Sequence, residues 1–151
     1  MPTEQTLILI KPDGMRRRLT GLTIDRLDAA SLELVAAKMV SVSTELAEKH
    51  YAEHVDKPFY PNLIKYIRGE FHDFPDHRIL AMVYRGEGCI AKVREVAGAT
   101  NPEQAKPGTI RGSFGRVTTA GQFENVLHAS ANAADAAREV ALWFKAAEIL
   151  P

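Results

Sequence analysis

His128 ends a short apolar run, Asn125-Val126-Leu127-His128, and a helix-like stretch follows with Glu139 on its second turn. An imidazole fixed at a strand end and oriented by a carboxylate can attack an electrophile as the neutral ring. Histidine–carboxylate pairs also serve as plain hydrogen-bonded struts, so the pair alone leaves both roles open. Lys11 stands where another apolar run stops, at Lys11-Pro12-Asp13-Gly14, a place from which an amine can reach into a cleft or simply meet water. Arg94, Thr100, Arg111 and Asn125 each end or border an element. The chain has neither G-x-x-x-x-G-K-[ST] nor G-x-G-x-x-G, so any phosphate it binds must be gripped by side chains of this kind. Spacing along the chain does not establish that they converge, and each singly also fits an ordinary surface residue.

Other clusters have blander readings. His50-Tyr51-Ala52-Glu53-His54 matches H-x-x-E-H, the inverted zinc-peptidase pattern, but a third ligand is wanting and so short a pattern recurs by chance. His72 and His77, with Asp73 and Asp76, lie in a polar loop and are expected to be solvated, as are the adjacent Arg16, Arg17 and Arg18.

The elements that must position these groups follow from hydrophobic period and turn chemistry. Residues 6–11 form a continuous apolar run, expected as a central strand stopped by a Pro-Asp-Gly turn. A helix is expected over 20–30, a second strand over 32–42, and a helix over 45–54 with Thr44 as its N-cap. Residues 62–68 predict another helix, 69–78 a loop, 79–84 a third strand, and 87–97 a helix preceded by Gly86. A long loop then runs to Gly112, and 113–124 has no clear period. The fourth strand is expected over 125–128 and the last helix over 133–147, with Ala136, Val140, Trp143 and Phe144 inward. This order predicts one α+β domain over 1–151: a ferredoxin-like sandwich with a four-stranded antiparallel sheet and helices on one face.

The bulk composition excludes several classes of function. The 151 residues suffice for one core, and the apolar share of 46% with 25% charged residues is ordinary for a globular domain. Lys+Arg and Asp+Glu are 19 each, so no global basic field draws the chain to nucleic acid or anionic membrane. The single cysteine, Cys89, excludes an internal disulfide and suits a reducing compartment. No apolar run nears the roughly 20 residues of a membrane span, and the strand pattern starts without a signal peptide, so the cytoplasm is expected.

The ordered set of short motifs closely resembles nucleoside diphosphate kinase. It comprises Lys11-Pro12-Asp13-Gly14; His50-Tyr51 with Lys57-Pro58-Phe59-Tyr60-Pro61; Ala81-Met82-Val83; Arg94; Thr100-Asn101-Pro102; the run from Lys106 to Gly112; Asn125-x-x-His128-x-Ser130; and Glu139 with Leu142-Trp143-Phe144. The resemblance implies ping-pong transfer of a γ-phosphate from a nucleoside triphosphate to a nucleoside diphosphate. His128 would be the phosphorylated nucleophile, Glu139 its orienting carboxylate and Ser130 the support of both. Tyr51 would lie beside His128. Lys11 would contact the transferring phosphate and the sugar 3′-hydroxyl, with Asn125 also on the sugar. Arg94, Thr100 and Arg111 would hold the other phosphates, and Phe59 would stack on the base. Magnesium would bridge phosphate oxygens with few direct protein ligands. The resemblance also implies a homo-oligomer, a hexamer or tetramer built from dimers.

Against the family pattern, Ala129 stands where glycine is usual, Ala131 where an acidic residue is usual and Arg18 where glycine is usual. The loops 69–78 and 113–124 are longer than in common members, and the chain stops soon after Phe144. Two other readings remain. One is a catalytically quiet nucleotide-binding or protein-interaction module on the same fold. The other, a nucleic-acid-binding ferredoxin-like domain, is disfavoured by zero net charge and the lack of an aromatic RNA-binding strand.

Overall fold

The computed structural model describes residues 2–151. Its centre is β1 (Thr3–Ile10), whose residues Leu7 to Ile10 are fully buried. Alternate side chains of a strand point to opposite faces, so four buried apolar residues in a row require both faces to be covered. They are. Leu7 and Leu9 pack with Ala47, Ile67, Val140 and Trp143, while Ile8 and Ile10 pack with Leu27, Val93, Ala97 and Ile110. The expectation of helices on one face is thereby corrected.

Three more strands join β1: β2 (Glu33–Ser41), β3 (Arg78–Glu87) and β6 (Leu127–Ala129). The four lie in the order β2-β3-β1-β6, every neighbouring pair antiparallel. One face carries α3 (Thr44–His50), α4 (Tyr60–Ile67) and α7 (Ala133–Trp143). The other carries α2 (Thr20–Asp28), α5 (Cys89–Ala97) and α6 (Ile110–Phe114).

Several boundaries differ from expectation for local reasons. Pro12-Asp13-Gly14 opens a short helix, α1 (Pro12–Arg16), because Pro at the first helical position has its φ preset and lacks only an N–H that would be unbonded anyway. Ser43, not Thr44, caps α3, its hydroxyl accepting from Leu46 N. That helix ends at His50, and 52–54 continue as a 3-10 turn. The first residue expected in α5, Glu87, instead ends β3, and Gly88, at φ +59, makes the turn. The last helix stops at Trp143. Within 113–124 lies a small hairpin of β4 (Arg116–Val117) and β5 (Phe123–Glu124).

The polar loops are less solvated than expected. His72 Nε2 meets Glu124 Oε1 at 2.7 Å, and His77 Nδ1 donates to the Arg68 carbonyl at 2.8 Å. Arg16 and Arg17 stay exposed yet donate to the carbonyls of His72 and Phe114. Arg18 adopts φ +58, which accounts for the usual glycine there.

Candidate active site

The backbone that presents His128 is held in an unfavourable shape. Leu127 N bonds to Asn125 O at 2.8 Å, closing a three-residue γ-turn around Val126 at φ +73. A β-branched residue there costs on the order of 1–3 kcal/mol, so surrounding contacts must enforce it. Three do. Val126 N donates to Asp13 Oδ2 at 3.0 Å, Lys11 N donates to Val126 O at 2.9 Å, and the backbone of Gly14 lies close beneath. A Cβ on Gly14 would come within 2.8 Å of Val126 O. The Tyr66 hydroxyl donates to the other oxygen of Asp13. Asp13 and Tyr66 were not singled out from sequence. The available signal was an aspartate in a motif that looked like an ordinary turn.

Beyond the turn, β6 sets His128 opposite Leu9 of β1. Its Nε2 lies 2.8 Å from Glu139 Oε1, and the Ser130 hydroxyl donates to the same oxygen at 2.7 Å. Ser130 Oγ in turn accepts from Leu7 N at 3.3 Å. A carboxylate at Nε2 fixes the proton on that nitrogen and leaves a lone pair on Nδ1. Burial, then the positive charges of Lys11, Arg111, Arg138 and Arg94, push the His128 pKa well below its ordinary value, so the ring is neutral. Its side chain keeps 16% of its surface exposed, enough for a ligand to reach.

His50 packs edge-on against His128 with ring centroids 4.5 Å apart. Its Nδ1 accepts from Trp143 Nε1 at 3.1 Å, and burial drives its pKa well down. The H-x-x-E-H pattern therefore supplies a neutral packing partner for the histidine at the site. His54, the second histidine of that pattern, sits in the 3-10 turn beside Phe59.

Lys11 donates from Nζ to Asn125 Oδ1 at 2.8 Å, and Asn125 Nδ2 donates to the Thr100 carbonyl at 2.9 Å. Burial, reinforced by the Arg111 guanidinium and partly offset by Asp13, lowers the Lys11 pKa to about 7. Arg111 is itself buried, and desolvation with Arg94 nearby brings it down to about 10. Its guanidinium donates to the carbonyls of Asn125, Gly98 and Leu127, so it also clamps the approach to β6. Two buried cations facing one space, neither in a salt bridge, make a site that favours an anion.

That space is a cleft of about 710 Å³. Lys11, Tyr51, Phe59, Arg94, Thr100, Arg111, Asn125, His128 and Glu139 all line it; Ser130 lies behind Glu139. The Tyr51 hydroxyl is buried without a hydrogen-bond partner, and burial followed by Glu139 raises its pKa. His50, His128 and Glu139 offer ligand atoms within 4.8 Å of one another, but Glu139 already serves His128 and Ser130. Two imidazoles do not suit magnesium, which takes oxygen ligands and keeps several waters. The anion-binding end supplies cations, so the lining offers no set of oxygen ligands of its own to a divalent ion.

The model of the nucleoside diphosphate kinase family matches residues 4–149. The chain belongs to the nucleoside diphosphate kinase family. It is 46% identical over 147 residues to the nucleoside diphosphate kinase of Thermus thermophilus, covering 97% of this chain and 99% of that one. It is 44% identical over 149 residues to that of Moorella thermoacetica, covering 99% of each. Among solved structures, a transition-state mimic of nucleoside-diphosphate kinase from Borrelia burgdorferi with bound vanadate and ADP superposes with a TM-score of 0.87 at 39% identity, over 99% of this chain and 91% of that one. A halophilic nucleoside diphosphate kinase from Halobacterium salinarum in complex with CDP gives 0.85 at 36% identity, over 99% and 93%. Family membership makes this chain a phosphotransferase and agrees with the four-stranded α+β sandwich described above. No helix among the described residues is long and apolar enough to cross a membrane.

Proposed function

We propose that this chain transfers the γ-phosphate of a nucleoside triphosphate to a nucleoside diphosphate through a phosphohistidine on His128. The observation that carries the reading is the His128–Glu139 contact at Nε2, which leaves Nδ1 unprotonated on a ring that lines the cleft. In the first half-reaction the Nδ1 lone pair forms a bond to the γ-phosphorus. The bond from that phosphorus to the β,γ-bridging oxygen breaks, and the electron pair leaves with the diphosphate. The ring then carries positive charge, which the Glu139 carboxylate stabilises at Nε2–H. In the second half-reaction a terminal oxygen of another nucleoside diphosphate attacks the phosphorus, and Nδ1 recovers its electron pair.

Phosphoryl transfer asks mainly for alignment and for positive charge around spread negative charge. Lys11 and Asn125 are joined by a hydrogen bond, so one lever sets both against the sugar and the transferring phosphate. Arg94, Thr100 and Arg111 hold the remaining phosphates. Tyr51 offers its unpartnered hydroxyl to the cleft that His128 lines. Phe59, 48% exposed on the cleft, stacks on the base, and every base offers it a π-face. Magnesium, arriving with the nucleotide, would neutralise phosphate charge alongside Lys11, Arg94 and Arg111. A neutral protein with one buried thiol fits work in the cytoplasm, on nucleotides rather than nucleic acid or membrane. Leu34 and Met39 stand exposed on the edge strand β2, in keeping with a homo-oligomer of hexamer or tetramer size assembled from dimers.

Intact mass after brief exposure to ATP and magnesium, and again after adding GDP, tests the reading. Wild type gains one acid-labile phosphate and loses it to GDP, whereas His128→Ala binds nucleotide and never gains it. Nucleotide binding by wild type without any phosphate on the protein would refute the kinase reading and leave a binding module.

A further inference from the structure

The Lys11 amine is held by two neighbours rather than by a salt bridge. Its Nζ donates to Asn125 Oδ1 at 2.8 Å and sits 5.2 Å from the centre of the Tyr66 ring, within reach of a cation–π contact. Both neighbours rest on one residue, His72, in the long loop 69–78. His72 Nε2 lies 2.7 Å from Glu124 Oε1; a carboxylate only accepts, so Nε2 carries the proton and donates. Glu124 immediately precedes Asn125 in the chain. The His72 ring also meets the Tyr66 ring edge-on, with centroids 5.7 Å apart and planes at 75°. Arg16 ends the short helix α1 that starts right after Lys11, and it donates to the His72 carbonyl.

The loop that presents His72 folds back on itself, with His72 N and Phe74 N bonded to Gly69 O at 3.1 and 3.2 Å. Its partner Glu124 is 4% exposed, and Arg116 donates to both carboxylate oxygens, at 2.7 and 3.2 Å. Glu124 therefore has a counter-charge whether or not His72 is there. His72 Nδ1, in contrast, is buried without a hydrogen-bond partner among the described residues. Burying a polar nitrogen in this way costs free energy. Stability alone gives little reason for an imidazole here, whereas two contacts that converge on the supports of Lys11 do.

We propose that His72 is a positioning residue for Lys11: it fixes the Glu124–Asn125 corner and the Tyr66 ring, the two supports that aim the amine at the transferring phosphate. The proposal rests on the nucleotide-transfer reading above. The loop 69–78 thereby acts on the site from behind the cleft lining.

The test compares wild type, His72→Leu and His72→Gln as full chains. Leucine fills space without a donor, whereas the glutamine amide can place an N–H where Nε2 stood. The first readout is the carbon NMR titration of the Lys11 side chain without nucleotide. The amine also faces Asp13 on α1, His50 on α3, Arg111 on α6 and His128 on β6, and the substitutions leave all four in place. In His72→Leu the Lys11 midpoint is expected to fall, because the charged amine loses the acceptor and the ring face that favour it; in His72→Gln it returns toward the wild-type value. The second readout is transfer from ATP to GDP. His72→Leu is expected to lower kcat/KM about 10- to 100-fold, with the loss in kcat rather than KM, and His72→Gln to recover most of it. Wild type that transfers phosphate but whose Lys11 midpoint is unmoved by His72→Leu would overturn this proposal alone. So would His72→Gln behaving like His72→Leu, the mark of a merely structural loop. Wild type that transfers no phosphate would overturn the kinase reading and this proposal with it.

Discussion

Nucleotide binding should draw a proton from solution, and Lys11 should be its destination. In the free protein, burial and Arg111 hold the Lys11 pKa at about 7. A triphosphate or diphosphate brought against Nζ replaces the missing counter-charge and lifts that pKa back toward the ordinary lysine range, since an opposite charge at contact favours the charged form. At pH 8 about one free-state lysine in ten is charged and nearly all bound ones are, so binding takes up about 0.9 proton. At pH 6 about nine in ten are already charged, and uptake from this group falls to about 0.1. The sign follows from the lowered pKa: uptake grows as pH rises through 7, is largest midway between the free and bound values, and falls as pH approaches the bound one. Of the other lowered cationic groups, His50 and His128 stay neutral at pH 8 and Arg111, at about 10, stays charged, so none contributes there. The phosphates contribute nothing either, their second ionisation lying near ~6. The assay is calorimetric titration with ADP and magnesium at pH 8 in buffers of different ionisation enthalpy, where the slope of apparent enthalpy counts the protons. Lys11→Arg keeps a charge that does not titrate and should abolish the slope. A wild-type slope of zero at pH 8, or the same slope in Lys11→Arg, would refute the reasoning.

Two further substitutions probe the support of His128. Gly14→Ala drives a methyl group to 2.8 Å from Val126 O, against backbone rather than a side chain that could swing away. A loss of about 1–3 kcal/mol in denaturant unfolding is expected, with a drop in turnover at temperatures where the protein stays folded; unchanged stability would count against the tight fit. Glu139→Gln keeps the shape but replaces a charged acceptor with an amide, so the ring positive charge of the phosphorylated state is less well met. Phosphorylation of His128 by ATP should slow at least about 10-fold in rapid-quench measurements while nucleotide binding persists; an unaltered rate would remove Glu139 from the reaction.

The site was more legible than its supports. His128, Lys11 and Asn125 are legible because polar residue types sit at the ends of plainly apolar runs, and Glu139 because it follows His128 on the next helix; the structure gathers them into one cleft. Asp13 was hidden because its work is long-range: it holds Val126, 113 positions away. The β4–β5 hairpin was hidden because two-residue strands are too short for a period of two to register. The placement of helices on both faces was legible and went unused, since Leu7 to Ile10 is apolar without alternation. His50 attracted a metal reading from spacing alone, where three-dimensional context makes it a neutral ring wedged between Trp143 and His128.

The strand that carries His128 is only three residues long and has one partner among the described residues, β1, from the opposite end of the chain. The Ser130–Leu7 contact joins positions 123 residues apart, nearly the full length of the chain. Closing so large a loop is entropically slow, and little local pairing recompenses it before the whole sheet is in place. The site is therefore among the last things the folding chain completes. During refolding, helical signal returns first and phosphate transfer afterwards, so regained activity reports a fully assembled molecule. A chain released from synthesis without its final helix would be compact in part and catalytically silent.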